Sequence, residues 1–213
     1  MIRSYPRLWW LLLVLSFLVT GFYYCVSVPT SWSIYLAAAS IFIIGIPHGA
    51  ADHRLFSELY TAHFGAKATL KFYMAYVGAI ALVIVGWIWL PTLTFLLFIL
   101  GSSYHFGQGN FQYLGKLSLV NFVLVMTWGA WVIVTPVYFH FSTASIVIES
   151  LTKTTLAPSV SYYLMLVWYG LTLANGIGIL ALLKVLSLKE CFQEAFTLLV
   201  LGCLFWQTPL FLG

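Results

Sequence analysis

The sequence predicts an all-α polytopic membrane bundle, with about seven transmembrane helices and the start of an eighth. Three observations carry that prediction. Hydrophobic residues make up 62% of the 213 residues and charged ones 7%, whereas about a quarter of a soluble domain is charged. Mean hydropathy is +1.02. Apolar runs of roughly 18 or more residues, enough to cross the hydrocarbon layer as helix, recur along the chain. The alternating short strands of a membrane barrel are missing.

The first run, about Leu8–Val26, follows Arg3 and Arg7. It is too long for a secretory signal and lacks a clean small-residue cleavage site, so it reads as a retained span. Pro29-Thr30-Ser31 turns the chain into a second span, about Ser33–Pro47, whose helix is expected to continue in water-accessible form towards Leu59. The third, about Lys71–Leu90, ends where Pro91 opens a tight reversal into the fourth, about Thr92–His105. The fifth covers about Leu117–Val137, and a polar loop is expected through Ser159. The sixth covers about Ser161–Val185 and the seventh about Phe192–Trp206. Pro209-Leu210-Phe211-Leu212-Gly213 begins an eighth; five residues at about 1.5 Å each cannot cross about 30 Å of hydrocarbon. No internal repeat interrupts the reading, and residues 1–213 form one membrane domain.

Charge supports the topology. With a cytoplasmic N-terminus, Arg3, Arg7, Arg54, Lys67, Lys71, Lys116, Lys184 and Lys189 all fall inside and only Lys153 outside. That is the asymmetry cell-membrane proteins show. The net charge of +4 is too small and dispersed for nucleic-acid binding. Cys25, Cys191 and Cys203 lack metal-type spacing and read as small buried hydrophobes.

In so uncharged a chain, two polar clusters stand out: Gly45-Ile46-Pro47-His48-Gly49-Ala50-Ala51-Asp52-His53 and Ser102-Ser103-Tyr104-His105-Phe106-Gly107-Gln108. Ionisable residues within spans are rare and usually functional. The second and fourth spans run in the same direction, so His48 and His105 reach the same membrane face and could share one depth. Asp52, four residues after His48, would lie on its helix face and could accept the second imidazole N–H, which orients a metal-ligating histidine. His53 lies about 140° around an ideal helix from His48 and suits a supporting role. Equally, His48 could cap a helix end with Asp52 paired to Arg54 or Lys67, and His105 could be an interfacial hydrogen-bonding histidine. His63 and His140 read as bystanders. Asn121, Thr127, Asn175 and Gln207 read as interhelical hydrogen-bonding groups, and Glu190 and Glu194 as charges suited to a helix N-terminus. The zinc-protease His-Glu-x-x-His motif, the repeated His-x-x-x-His boxes of membrane desaturases and a mid-span lysine in the seventh helix are all missing.

The first cluster, the Tyr104-His105-Phe106-Gly107 stretch and the terminal Thr208-Pro209-Leu210 together resemble the Brp/Blh family of membrane β-carotene dioxygenases. The resemblance runs from the second span to the last residue. It implies iron-dependent cleavage of the central double bond of β-carotene by dioxygen, giving two all-trans-retinal molecules. It implies Fe(2+) as cofactor, held by four histidines of which His48 and His105 are two. The other two, a His-x-x-x-His pair, would lie roughly ten to fifteen residues beyond Gly213, the length of helix needed to cross again. Carotenoid, dioxygen and lipid are the implied partners, with a retinal-binding opsin as a user of the product. Relative to that pattern the chain is C-terminally incomplete. Two other readings stay open: an inactive relative that binds carotenoid, and a membrane scaffold or transporter with interfacial histidines.

Overall fold

A computed structural model describes residues 6–26, 30–40, 42–43, 68–111, 114, 118–184 and 186–210. Among them the chain is helical without strands: α1 (Pro6–Cys25), α2 (Thr30–Ser40), α3 (Ala68–Trp89), α4 (Pro91–Asn110), α5 (Leu119–Phe139), α6 (Phe141–Thr152), α7 (Val160–Leu182) and α8 (Leu188–Gln207). The protein is an all-α helical bundle. Among the described residues three helical stretches are long and apolar enough to cross a membrane: Thr69–Trp89, Leu119–Phe139 and Val160–Leu182.

Local chemistry sets the ends. Ser118 accepts a hydrogen bond from the Asn121 backbone at the start of α5, satisfying an otherwise orphaned N–H. Ser187 and Glu190 form a reciprocal capping box at the start of α8. Pro91 occupies the first turn of α4, where a missing N–H costs nothing. Only Leu90 separates α3 from α4. The reversal can be that tight because Gly86 has no side chain: a Cβ there would fall 2.6 Å from Thr94 Oγ1.

The most extensive packing is between α4 and α5. These helices meet backbone to backbone. A Cβ on Gly107 would lie 1.8 Å from the Val125 carbonyl oxygen, and one on Gly129 would lie 1.7 Å from that of Ser103. Ser103 and Gly107 on α4 and Gly129 on α5 are small enough to permit this approach, as in membrane helix pairs generally.

A second seam, α5 against α7, is held by paired polar contacts. Trp131 Nε1–H donates to Thr172 Oγ1 at 3.0 Å, and Trp168 Nε1–H donates to Thr135 Oγ1 at 3.2 Å. Each threonine in turn directs its hydroxyl proton to its own helix, Thr135 to the Trp131 carbonyl at 2.6 Å and Thr172 to that of Trp168 at 2.8 Å. Asn175 extends the seam by donating to the Thr127 carbonyl at 3.1 Å. The expectation of interhelical bonding therefore holds for Asn175. Thr127 differs: its hydroxyl bonds within its own helix, to Val123 and Leu124.

These pairings give the bundle two distinct ends. One carries Asn110 and Glu194, hydrogen-bonded across α4 and α8 at 2.9 Å. The other carries the α3–α4 reversal and α6, joined where Thr92 Oγ1 donates to the Thr152 carbonyl at 3.3 Å.

Helix α6 corrects the expected polar loop before Ser159. Apolar residues Phe141, Ala144, Val147, Ile148 and Leu151 are interspersed with Ser, Thr and Glu149 over Phe141–Thr152, which suits an amphipathic helix at an end of the bundle. Lys153, with φ 57°, ends it in the left-handed conformation. Another correction concerns the cysteines. All three are free thiols, but only Cys191 is buried; Cys25 and Cys203 are exposed.

Candidate functional site

Of the four residues singled out as metal ligands or their supports, His105 is described by the structure. His48, Asp52 and His53 lie outside the described residues, as does His63. The shared depth expected of His48 and His105 lies outside them for the same reason.

His105 sits differently from its expected place at a helix end. α4 continues to Asn110, so His105 is about 7 Å back along the axis from the helix terminus at 1.5 Å per residue. The sequence misleads here because Gly107 and Gly109 look like terminators. Gly107 is instead buried against α5, a packing role that overrides its poor helix propensity.

The orientation of His105 follows from that packing. Ser103 and Gly107 are buried and face α5. His105 lies two residues from each, on the opposite face of the helix, and is exposed. Its ring neighbours that of Phe106, with centroids 6.1 Å apart. Among the described residues no hydrogen bond engages its imidazole, which leaves both ring nitrogens available to a further partner.

His140 is the opposite case. It stands between α5 and α6, and its Nε2–H donates to the Phe205 carbonyl at 2.8 Å. The residue four after Phe205 is Pro209, which has no N–H to complete the helix bond. His140 thus satisfies a carbonyl that proline leaves orphaned, and its Nε2 is committed. Its reading as a bystander to metal chemistry is consistent with this, but the sequence reading missed its structural role. The Phe205-x-x-x-Pro209 spacing was the available signal for an orphan acceptor.

Glu194 was missed as well. Read as a charge near a helix start, it is in fact 8% exposed and accepts from Asn110 Nδ2. It therefore fastens the last turn of α4, one and a half turns beyond His105, to α8. Among the described residues no group of three or more His, Cys, Asp or Glu side chains comes together as a metal cluster.

Beyond the reversal at Leu90, α3 and α4 enclose an apolar groove of about 440 Å³. It is lined by aliphatic side chains, Trp89 and Phe98, with Thr94 as the polar side chain on its wall.

Among the described residues, an all-α bundle with three helices long and apolar enough to cross a membrane, an exposed histidine on α4 and an apolar groove between α3 and α4 define a class: a helical bundle of membrane-spanning type. The family model for beta-carotene 15,15'-dioxygenase matches residues 39–213, and the chain belongs to that family. No curated protein and no solved structure matches it.

Proposed function

We propose that this chain cleaves the central double bond of β-carotene with dioxygen at a ferrous centre to which His48 and His105 contribute, giving two all-trans-retinal molecules. The observation that carries the reading is the family match, which spans both histidines. His105 fits a ligand role on its own geometry: it is exposed and, among the described residues, its imidazole is not engaged, in contrast to the committed Nε2 of His140. Neutral imidazole nitrogens suit first-row divalent metals such as iron. When bound, ferrous iron supplies the activation of dioxygen.

The chain itself supplies position and environment. The backbone contact of α4 with α5 fixes the helix face on which His105 stands. The Asn110–Glu194 bond secures the turns beyond it. In this proposal Asp52, four residues after His48, would accept its second N–H and hold the ring, with His53 in support. The apolar helices hold the polyene and keep water from the reacting carbons. The bundle lies in the cell membrane with its N-terminus and the His105 end at the cytoplasmic side, where the positive charges gather. A retinal-binding opsin is a fitting acceptor of the product.

The test is direct. Purified chain reconstituted with ferrous iron and β-carotene yields retinal, and His48→Ala or His105→Ala abolishes both turnover and iron retention. Turnover that persists in both variants would remove these ligands from the assignment.

A further inference from the structure

We propose that the groove between α3 and α4 is a lipid site: it seats one acyl chain of an anionic phospholipid, whose phosphate meets the ammonium of Lys153. The site belongs to the membrane setting proposed above and is independent of the cleavage reading.

The groove has the length and direction of an acyl chain. Its α4 wall runs from Leu90 to Phe98 and its α3 wall from Leu82 to Trp89. Eight residues of helix rise about 12 Å, against about 15 Å for one leaflet, half of a hydrocarbon core of about 30 Å. The groove therefore spans most of one leaflet, beginning at the reversal. Its walls are chiefly aliphatic, and Leu82, Leu93 and Leu97 are exposed along its flank, so a chain can enter from the side. Its volume of about 440 Å³ lies within the range of small-molecule sites. Trp89, 76% exposed at the rim, stands where an interfacial tryptophan keeps its ring among the lipid headgroups.

A positive charge lies at the same end. Thr92 stands in the first turn of α4, between Leu90 and Leu93 of the lining, and its Oγ1 donates to the Thr152 carbonyl at 3.3 Å. The next residue is Lys153, exposed and held by its left-handed backbone and by its N–H bond to the Glu149 carbonyl at 2.9 Å. The Thr152 hydroxyl donates to the Ile148 carbonyl and so accepts from that of Thr154 at 2.7 Å. The chain is thus tied down on both sides of the lysine. Of the described lysines, Lys153 alone stands at this end; Lys71 lies near the start of α3, and Lys184 and Lys189 near the junction of α7 and α8. The acidic side chain nearest in sequence, Glu149, accepts the Leu156 backbone N–H at 2.7 Å. Among the described residues no carboxylate pairs with Lys153.

A hydrocarbon gains nothing from an ammonium at the mouth of the groove, whereas a phosphate does. The resting occupant is therefore an amphiphile, with its tail along the groove and its anion at the reversal. Basic residues beside gaps between membrane helices bind phospholipid headgroups in this way. A hydrocarbon arriving from the bilayer competes with the seated tail.

The experiment measures lipid apart from turnover. Purified full chain is incubated in detergent with equal amounts of phosphatidylglycerol and phosphatidylcholine, without carotenoid, and the lipid retained after repurification is measured by mass spectrometry. Phosphatidylglycerol should be favoured about fivefold, the preference that one lysine confers at an anionic surface. Lys153→Gln should bring the two lipids to parity, Lys153→Arg should keep the preference, and Lys184→Gln, at the other end, should leave it unchanged. Val83→Trp and Leu97→Trp, which fill the groove, should each lose the favoured lipid with the thermal midpoint held. Equal retention of both lipids by the wild type, as in an unselective lipid shell, overturns the proposal. So does a preference that survives Lys153→Gln, a favoured lipid that survives both filling variants, or a wild-type chain that forms a dimer and holds no lipid. Iron and dioxygen play no part in the assay, so its failure leaves the cleavage reading standing, and a failure to form retinal leaves the lipid site standing.

Discussion

A Cβ on Gly107 would lie 1.8 Å from the carbonyl oxygen of Val125, so α4 and α5 touch there through their backbones. The adjoining contact, Gly129 against Ser103, is as close. Because the obstructing atoms are backbone, no rotamer change relieves the clash. His105 takes its direction from this seam.

Gly107→Ala and Gly129→Ala should each destabilise the bundle by about 1–3 kcal/mol or more, the usual range for overpacking. Thermal unfolding in detergent checks this. Gly101→Ala is the control: a Cβ there meets nothing within 4 Å, and relief of glycine's conformational freedom should leave the midpoint equal or slightly higher.

The Trp–Thr pairs of the α5–α7 seam predict an asymmetry. Thr135 is wholly buried and receives the Trp168 indole proton while giving its own to Trp131. Thr135→Val therefore strands an indole N–H, whereas Trp168→Phe leaves a threonine still bonded to its own helix. Apart from lost ring packing, measured against Trp168→Leu, the threonine change should cost more in hydrogen bonding, by about 1 kcal/mol. Equal penalties in unfolding measurements would count against the one-way arrangement.

Two histidines should respond in opposite ways. His140→Ala removes the donor from the Phe205 carbonyl and should cost about 1–3 kcal/mol of stability, the penalty for a partner stripped from a buried polar group. Bound iron should be unchanged. His105→Ala, at an exposed site without a hydrogen bond, should shift stability by no more than about 0.5 kcal/mol while lowering iron content. Metal analysis beside thermal unfolding of each variant checks both.

Coupling across α4 and α8 is measurable by a double-mutant cycle. Asn110→Ala and Glu194→Ala should each destabilise the chain, and the double variant by less than their sum. A coupling energy of about 0.5–3 kcal/mol is the range for groups in one hydrogen-bonded pair.

How much of this was legible beforehand depends on the kind of signal. Helices and their order follow from apolar runs and from prolines, and the reversal at Pro91 and the termini of α1, α3 and α7 lie within a few residues of expectation. α6 was hidden because twelve residues of mixed polarity fall short of a span and look like loop. The extent of α4 was hidden because glycines that serve a close helix contact cannot be told, residue by residue, from glycines that end a helix. Glu194 and His140 were misjudged for a related reason: what they satisfy lies 84 and 65 residues away in sequence. His105 was legible as a chemical group, and its face on the helix was not, since that face is set by α5.

The location of the groove has a consequence for how substrate supply is measured. At the reversal, α6 lies across the start of α4 through Thr92 and Thr152, while Leu82, Trp89 and Leu97 are exposed along the flank. In the membrane setting of the proposed function, the opening faces the bilayer sideways, in the phase where a hydrocarbon dissolves. Encounter is then a search in two dimensions, and the quantity that governs saturation is the mole fraction of carotenoid among lipids. Diluting vesicles with buffer should leave the rate per protein unchanged; diluting the carotenoid with lipid should lower it.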